Sequence, residues 1–402
     1  MASSCRRLST VPVLLLALSW AGRAQIASGQ MASAQLAAAR QHALQEGNSW
    51  LSVEFPKDSP VLIVSSGLGS TTAHVRGASI ALEIHTSLLL RNTGKKTING
   101  LTLRVDAEDL TPTGKGSVTM PSLDVQPGDV FPVRIDMELV RPFNVQKTEA
   151  PLVQVSLDCA LFNDLTSYGP DQLGSKRALM VYELEARRDR RYLANLLNTG
   201  RLEELRKELD FGLEDFGLPQ LALELLRAPA AATNAGQRPV AVDVMAFPGS
   251  PVEAVGGMAS VIGNEVRGPV VQVTNRSRRP VRSIEMGWIL RDENGRDFLA
   301  GSVPKKISLN PVESARMTET GEVRFLQPSG RPLDVEELLA FVNSVEYGDG
   351  SLWIPSRVDI NKATSDPLLR RALAASPEQQ RLESLYRRKG MNALRADLKR
   401  VN

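Results

Sequence analysis

At 402 residues, 42% hydrophobic and 23% charged, the chain is long enough for more than one domain and too balanced for a disordered or fibrous protein. Its formal net charge of +3 is too small to make the whole chain a polyanion binder. Three His and two Cys are too few for an ordinary zinc site.

The N-terminus sets Arg6 and Arg7 before an apolar stretch from Val11 to Trp20, then Ala21-Gly22-Arg23-Ala24. A positive region, a short apolar region and small residues in that order predict a secretory signal peptide over 1–24; an uncleaved anchor is the rival. Cleavage after Ala24 removes three Arg and no acid, leaving equal numbers of basic and acidic groups. It also removes Cys5 and leaves Cys159 alone, a usage that fits a bacterial envelope protein better than an exported animal protein of this size. Expected localisation is therefore periplasmic or extracellular. Residues 25–49 are Ala-, Gln- and Ser-rich and read as a linker or marginal helix.

From Trp50 the pattern becomes period two. Ile80, Leu82 and Ile84 alternate, as do Leu101, Leu103 and Val105, then Val133, Ile135, Met137 and Leu139. Turn clusters at Asn92-Thr93-Gly94, Pro112-Thr113-Gly114 and Pro127-Gly128-Asp129 separate the runs, which predicts an antiparallel sandwich over 50–188. Over 189–235 the period lengthens, with Leu193, Leu196, Leu197, Leu202, Leu205 and Leu209 at helical spacing before an Ala-rich linker. A second sandwich is predicted over 236–360, from alternation at Val240, Val242 and Val244 and at Ile284, Met286, Trp288 and Leu290, with a hairpin at Asp292-Glu293-Asn294-Gly295. Within it Pro332 to Val342 reads as a short helix capped by Asp334 with Glu337 completing a capping box.

The two β-rich modules align with each other. Leu90 and Val273, Asn92 and Asn275, Ile98 and Val281, Leu101 and Ile284, Leu103 and Met286, and Val105 and Trp288 share one spacing; Pro127 with Pro311 and Phe162 with Tyr347 nearly keep it. Such constancy points to duplication, against two sandwiches sharing only a strand-turn rhythm. The run Leu88-Leu89-Leu90-Arg91-Asn92-Thr93-Gly94 followed by Ile98-Asn99-Gly100-Leu101, with Val270-Val271-Gln272-Val273-Thr274-Asn275 in the second module, resembles the strand-Asn-turn-strand opening of bacterial immunoglobulin-like adhesion and envelope modules. The resemblance implies two immunoglobulin-like sandwiches used for binding or spacing, and transfers no functional residue.

Residues 361–402 read as a basic helical tail in which Leu382, Leu385, Tyr386, Leu394 and Leu398 share a face, while Arg387, Arg388, Lys389, Arg395, Lys399 and Arg400 are the candidate contacts to a partner or surface. The tail either touches anionic lipid, an acidic protein or a wall polymer, or packs its leucines on the second module with its arginines in water.

Catalytic patterns are thin. His42, His74 and His85 lack ligand spacing, and Cys159 follows Val153, Val155 and Leu157 in alternation, which predicts an inert core thiol. Gly114-Lys115-Gly116-Ser117 lacks the frame of a phosphate loop, and Asp210-Phe211-Gly212 and Asp215-Phe216-Gly217 lack the other parts of a kinase. Asp292, Asn294 and Asp297 depart from a calcium loop; Asn275-Arg276-Ser277 is a glycosylation acceptor by its letters or else a polar turn. The expectation is a non-enzyme with no cofactor and no nucleic-acid role. It would bind an envelope protein through sheet edges and loops; the alternatives are attachment to anionic lipid or cell-wall polymer by the tail, and a carboxylate-based carbohydrate hydrolase.

Overall fold

The computed structural model describes residues 51–68, 72–76, 79–106, 115–142, 153–210, 220–226, 237–262, 265–318, 322–326 and 335–400. The chain divides into two compact units between Lys176 and Arg177, each with its own core. It is mainly β, with helices concentrated at the C-terminal end. The signal and linker expectations for 1–49, His42, the Ala-rich linker and the Asp-Phe-Gly triplets beyond Asp210 lie outside the described residues, as do the side chains of His74, Ile80, Leu82 and Ile84.

Unit 1 runs β1 (Leu51–Glu54), β2 (Val61–Leu68), β3 (Thr72–Arg76), β4 (Ser79–Asn92), β5 (Ile98–Asp106), β6 (Lys115–Val125), β7 (Val130–Pro142), β8 (Val153–Phe162) and β9 (Ser167–Tyr168). One sheet has the order β1-β8-β5-β6 with β9 on β8; the other joins β2, β3 and β7 to β4. Strand β1 lies parallel to β8, and the remaining pairings are antiparallel. Leu88 and Leu90 from one sheet and Leu101, Leu103 and Val105 from the other enter a single core, as their alternation predicts.

Helix α1 (Ser175–Asn198) starts two residues before the boundary and runs into unit 2, which continues with α2 (Leu202–Asp210), then β10 (Gln220–Leu226), β11 (Arg238–Met245), β12 (Val252–Val255), β13 (Gly257–Ile262), β14 (Glu265–Arg267), β15 (Val270–Asn275), β16 (Val281–Asp292), β17 (Asp297–Leu309), β18 (Ser314–Thr318), β19 (Glu322–Leu326), β20 (Val335–Tyr347) and β21 (Leu352–Trp353). It ends in α3 (Arg357–Ala363), α4 (Pro367–Ala374) and α5 (Pro377–Arg400). The order β11-β20-β16-β17, with β21 on β20 and β11 parallel to β20, repeats the first sheet of unit 1. The trio β12-β15-β18 repeats β2-β4-β7.

The duplication is visible in hydrogen bonds. Asn92 is fully buried; its amide donates to the carbonyls of Lys96 and Val125, both at 2.9 Å, and its Oδ1 accepts from the Gly94 N–H at 3.0 Å. Asn275, also fully buried, donates to Arg279 at 2.8 Å and Leu309 at 3.1 Å, and accepts from the Ser277 N–H at 2.9 Å. An asparagine at this corner satisfies one buried carbonyl and two half-buried backbone groups at once, which explains why both modules carry it. It also decides the reading of Asn275-Arg276-Ser277: the amide is consumed inside the fold as part of a turn.

Four expectations are corrected. Within the span read as a short helix, Val335–Val342 is strand: β20 runs from Val335 to Tyr347, and the expected cap Asp334 lies outside the described residues. This strand is central, with Leu338, Ala340 and Val342 in the main core cluster of unit 2 and Leu339 and Phe341 under the helices, so it lost the alternation that marks a strand. Secondly, α1 begins at Ser175 inside the span read as sandwich 50–188, with Leu179, Met180, Glu183, Ala186 and Arg190 buried at helical spacing; residues 220–226 of the supposed helical segment are strand. Third, Cys159 is the buried, inert thiol expected, 1% exposed, but the strict alternation that placed it is interrupted by a bulge between Leu157 and Cys159 that turns Ala160 into the core cluster. Burial pushes its thiol up to about 12. Last, the large sheet of unit 2 is not a simple sandwich layer. From β17 it continues through β10, β19, β14 and β13 back to β11, so its pairings close in a ring.

The predicted hairpin after β16 is present. Asp292 accepts from the Asn294 and Arg296 N–H groups at 3.0 and 2.9 Å and from the Arg296 guanidinium, and Gly295 takes the positive φ of +73°.

Candidate functional site: outer sheet faces and the basic arm

Each module has two outer sheet faces, and residue choice decides what each can do. In unit 1 the outer side of β2-β4-β7 presents Leu62, 54% exposed, Val64, Leu89 at 37% and Val130 at 42%, with exposed Pro132 beside Leu89. Arg91 and Arg134 flank them, and further along the same face His85 Nδ1 lies 2.7 Å from Asp136. That contact, with Arg134 beside it, holds the Asp136 carboxyl below its usual value. The register places the unit 2 equivalents of Leu62, Leu89, Val130 and Pro132 at Glu253, Gln272, Ser314 and Arg316. One copy is apolar and open; its twin is polar at these four positions and keeps one exposed valine, Val255, opposite Gln272.

The opposite faces reverse the pattern. In unit 1 the outer side of β5 and β8 carries Thr102, Arg104, Asp106, Gln154, Ser156 and Asp158. Arg104, Asp106, Gln154, Ser156 and Asp158 border a hollow of about 490 Å3, and its carboxylates are engaged. Arg104 holds Asp106 at 2.8 Å, Glu54 accepts from the Ser52 hydroxyl, and Asp158 accepts from Gln172 N–H at 2.8 Å and from the Ser175 hydroxyl. In unit 2 the corresponding face is apolar, and α3 and α4 cover it: Phe247, Ile289, Phe341, Ile360 and Leu369 form one cluster.

A polar network ties these helices together. Asp189, fully buried, accepts from Arg357 at 2.8 Å, Arg188 at 3.0 Å and Ser376 at 2.5 Å; Arg190 donates to buried Glu378 at 2.6 Å. Each carboxylate in the network accepts several hydrogen bonds, which offsets the cost of burying its charge.

The predicted tail is docked. Leu382, Leu394 and Leu398 pack against Leu193, Leu196, Leu205 and Leu209 of α1 and α2. Gly390, at φ +75°, breaks α5, and Arg381 reaches Asp397 at 2.5 Å. Sixteen residues of straight helix would separate those two by about 24 Å, so the segment folds back at Gly390. Arg387, Arg388, Lys389, Arg395 and Lys399 are exposed; the Arg400 side chain lies outside the described residues. Arg387 pairs loosely with Glu383 at 3.7 Å. Arg388 and Lys389 border a groove of about 490 Å3 with Gln380, Ser384 and Leu385. Arg395 and Lys399 are not among the residues bordering that groove. Among the described residues no helix is long and apolar enough to cross a membrane.

A repeated cationic corner escaped the sequence reading. Lys96 Nζ donates to Asp164 at 2.7 Å and Thr166 at 2.9 Å and stands 5.6 Å from the Phe162 ring centre. In unit 2 Arg279 makes the same contacts with Asp349 and Ser351 and lies 3.8 Å from the Tyr347 ring. The Phe162 and Tyr347 pairing was the available signal; both corners close a turn rather than form a cleft.

No family model matches the chain, and no curated protein matches it. Among solved structures it is similar to a putative ApaA protein from Bordetella pertussis, at 14% identity over 31% of this chain and 94% of that one, with a TM-score of 0.12. It is also similar to a β-glucosidase from Kluyveromyces marxianus, at 10% identity over 66% and 45% of the two chains and a TM-score of 0.16. A third, named pT26-6p, shows 12% identity over 83% and 73% with a TM-score of 0.17. Likeness this slight carries no argument about fold or activity.

Proposed function

We propose that this chain is an exported, non-enzymatic binding protein of a bacterial envelope, built from two immunoglobulin-type sandwich modules, whose first module takes a protein partner on the outer face of β2-β4-β7. The observation that carries this reading is the contrast between twins: positions that are Glu253, Gln272, Ser314 and Arg316 in one module are Leu62, Leu89, Val130 and Pro132 in the other. Exposed apolar side chains gathered on one face, rimmed by Arg91 and Arg134, favour a partner with its own apolar centre and flanking carboxylates.

The test is cross-linking in envelope extract with the wild-type protein and with a Leu62→Glu, Leu89→Gln double variant. A single protein adduct that the double variant loses supports the reading; an unchanged adduct pattern ends it. N-terminal sequencing of the mature protein should begin at Gln25 if export removes 1–24.

A second reading rests on Arg388 and Lys389 beside their groove: the basic arm holds the protein to anionic lipid or wall polymer. It predicts sedimentation with anionic vesicles or wall fragments that fades with salt and disappears in Arg388→Ser, Lys389→Ser.

A further inference from the structure

In unit 2 a cavity of about 230 Å3 lies between the sheet and the helices, bordered by Glu185 of α1, Gly287 of β16, Gly301 of β17, Phe341 of β20, and Ala372 and Ala375 at the end of α4. At about 30 Å3 per water it has room for about seven waters, or a ligand of similar size. Small residues make the space: a Cβ added to Gly287 would lie 2.2 Å from the Phe341 ring, so the ring rests on bare backbone. The carboxylate of Glu185 has no hydrogen bond and no ion pair among the described residues.

The charges around it select the ligand. Arg188, the nearby cation, is committed to Asp189 and to the Ala374 carbonyl at 2.7 Å. Asp189 is held by Arg357 and Ser376, and Glu285 of β16 by Arg177 and Ser344, both acids adding negative potential at Glu185. An anion would meet repulsion here, and a neutral molecule would leave the carboxylate unneutralised. We propose that the cavity binds a small organic monocation, a primary ammonium on a short apolar body, with the ammonium on Glu185 and the body against Phe341, Ala372 and Ala375. The Phe341 ring among the residues bordering the cavity gives the body of such a ligand an apolar contact.

The site is pH-dependent. Desolvation, opposed by Arg188 and reinforced by Asp189 and Glu285, pushes the Glu185 carboxyl up to about 7. Only the ionised form pairs with an ammonium, so affinity is full above that value and is lost as pH falls through it. Between pH 8 and pH 5 the ionised fraction drops from about nine-tenths to about one-hundredth, an affinity loss of about 100-fold.

The experiment titrates the full chain with butylammonium chloride, by calorimetry and by the 13C signal of the Glu185 carboxyl, at pH 8 and pH 5. Saturable binding at pH 8, about 100-fold weaker at pH 5 and at least tenfold weaker in Glu185→Gln, is the expected result. Ala372→Leu, which fills the cavity and leaves the carboxylate, should lose binding as well. Butylammonium should raise the melting midpoint of the wild type and leave that of folded Glu185→Gln unmoved. Equal binding in Glu185→Gln, butyrate binding as well as butylammonium, or no saturation by the folded wild type at pH 8 overturns the proposal.

Discussion

The β5-β8 face of unit 1 and the β16-β20 face of unit 2 are the same surface of a repeated module put to opposite uses. Where unit 1 has Arg104, Asp106 and Ser156, unit 2 has Gly287, Ile289 and Phe341. The second set is apolar and lies under α3 and α4. A sheet face tolerates helices only if its side chains give up water cheaply, so having Gly, Ile and Phe where unit 1 has Arg, Asp and Ser is what permits the helical layer. The lesson transfers to the other pair of faces: the apolar one in unit 1, on β2-β4-β7, is the surface whose residues fit a cover.

The largest break of this comparison comes from returning a unit 1 residue to unit 2. Ile289→Asp installs the equivalent of Asp106 where Ile289 is 3% exposed, and should cost more than about 4 kcal/mol in denaturant unfolding. A cost near zero would mean the helical layer does not bury that face.

Much of this architecture was legible in the sequence where one face of a strand meets water. Leu101-Leu103-Val105 alternate because Thr102 and Arg104 separate them, and the spacing they share with Ile284-Met286-Trp288, parted by Glu285 and Gly287, exposed the repeat. Covered on both faces, β20 broke the rule; its Leu338-Leu339-Ala340-Phe341-Val342 run has no period to read. Glu185 was invisible for a related reason. An acid among Glu183, Arg187 and Arg188 looks like any solvated helix surface until the sheet beneath it is known. The basic arm was readable as composition, but its fold-back at Gly390 depends on α1 and α2, which lie far away in sequence.

Asn92 and Asn275 test whether the two corners are equivalent in energy as well as in geometry. Replacing either by Ala orphans one buried carbonyl, one half-buried carbonyl and one half-buried N–H, a loss of about 3 kcal/mol. Equal losses in separate unfolding measurements sharpen the equivalence; a twofold disparity breaks it.

Glu185→Gln probes the covered face alone. A carboxyl whose folded value is raised from 4.5 to about 7 penalises the folded state when ionised, so wild-type stability declines as pH climbs between those values and stays lower above them. The variant should flatten that decline and be about 2 to 3 kcal/mol more stable at pH 8, read by urea unfolding at a series of pH values.

A smaller effect belongs to the turns. Gly128 sits at φ +88° in unit 1, whereas its counterpart Val312 is forced to +68° while 76% exposed. A β-branched residue there is strained and packs against little, so Val312→Gly should raise stability by about 0.5 to 1 kcal/mol. Gly128→Val should lower it by a similar amount.

The exchange on the open face should move stability least and binding most. Leu62→Glu and Leu89→Gln give unit 1 the residues unit 2 already carries at Glu253 and Gln272, and since both leucines are exposed, unfolding should shift by no more than about 0.5 kcal/mol. Loss of two central apolar contacts should nonetheless weaken partner capture by about 100-fold, as expected for side chains at the middle of an interface. The reverse exchange, Glu253→Leu with Gln272→Leu, creates a second apolar face that has had no selection for a partner. It should therefore lower solubility without adding specific capture, because exposed apolar area alone drives association while recognition also needs the shape and rim charges that Arg91 and Arg134 supply.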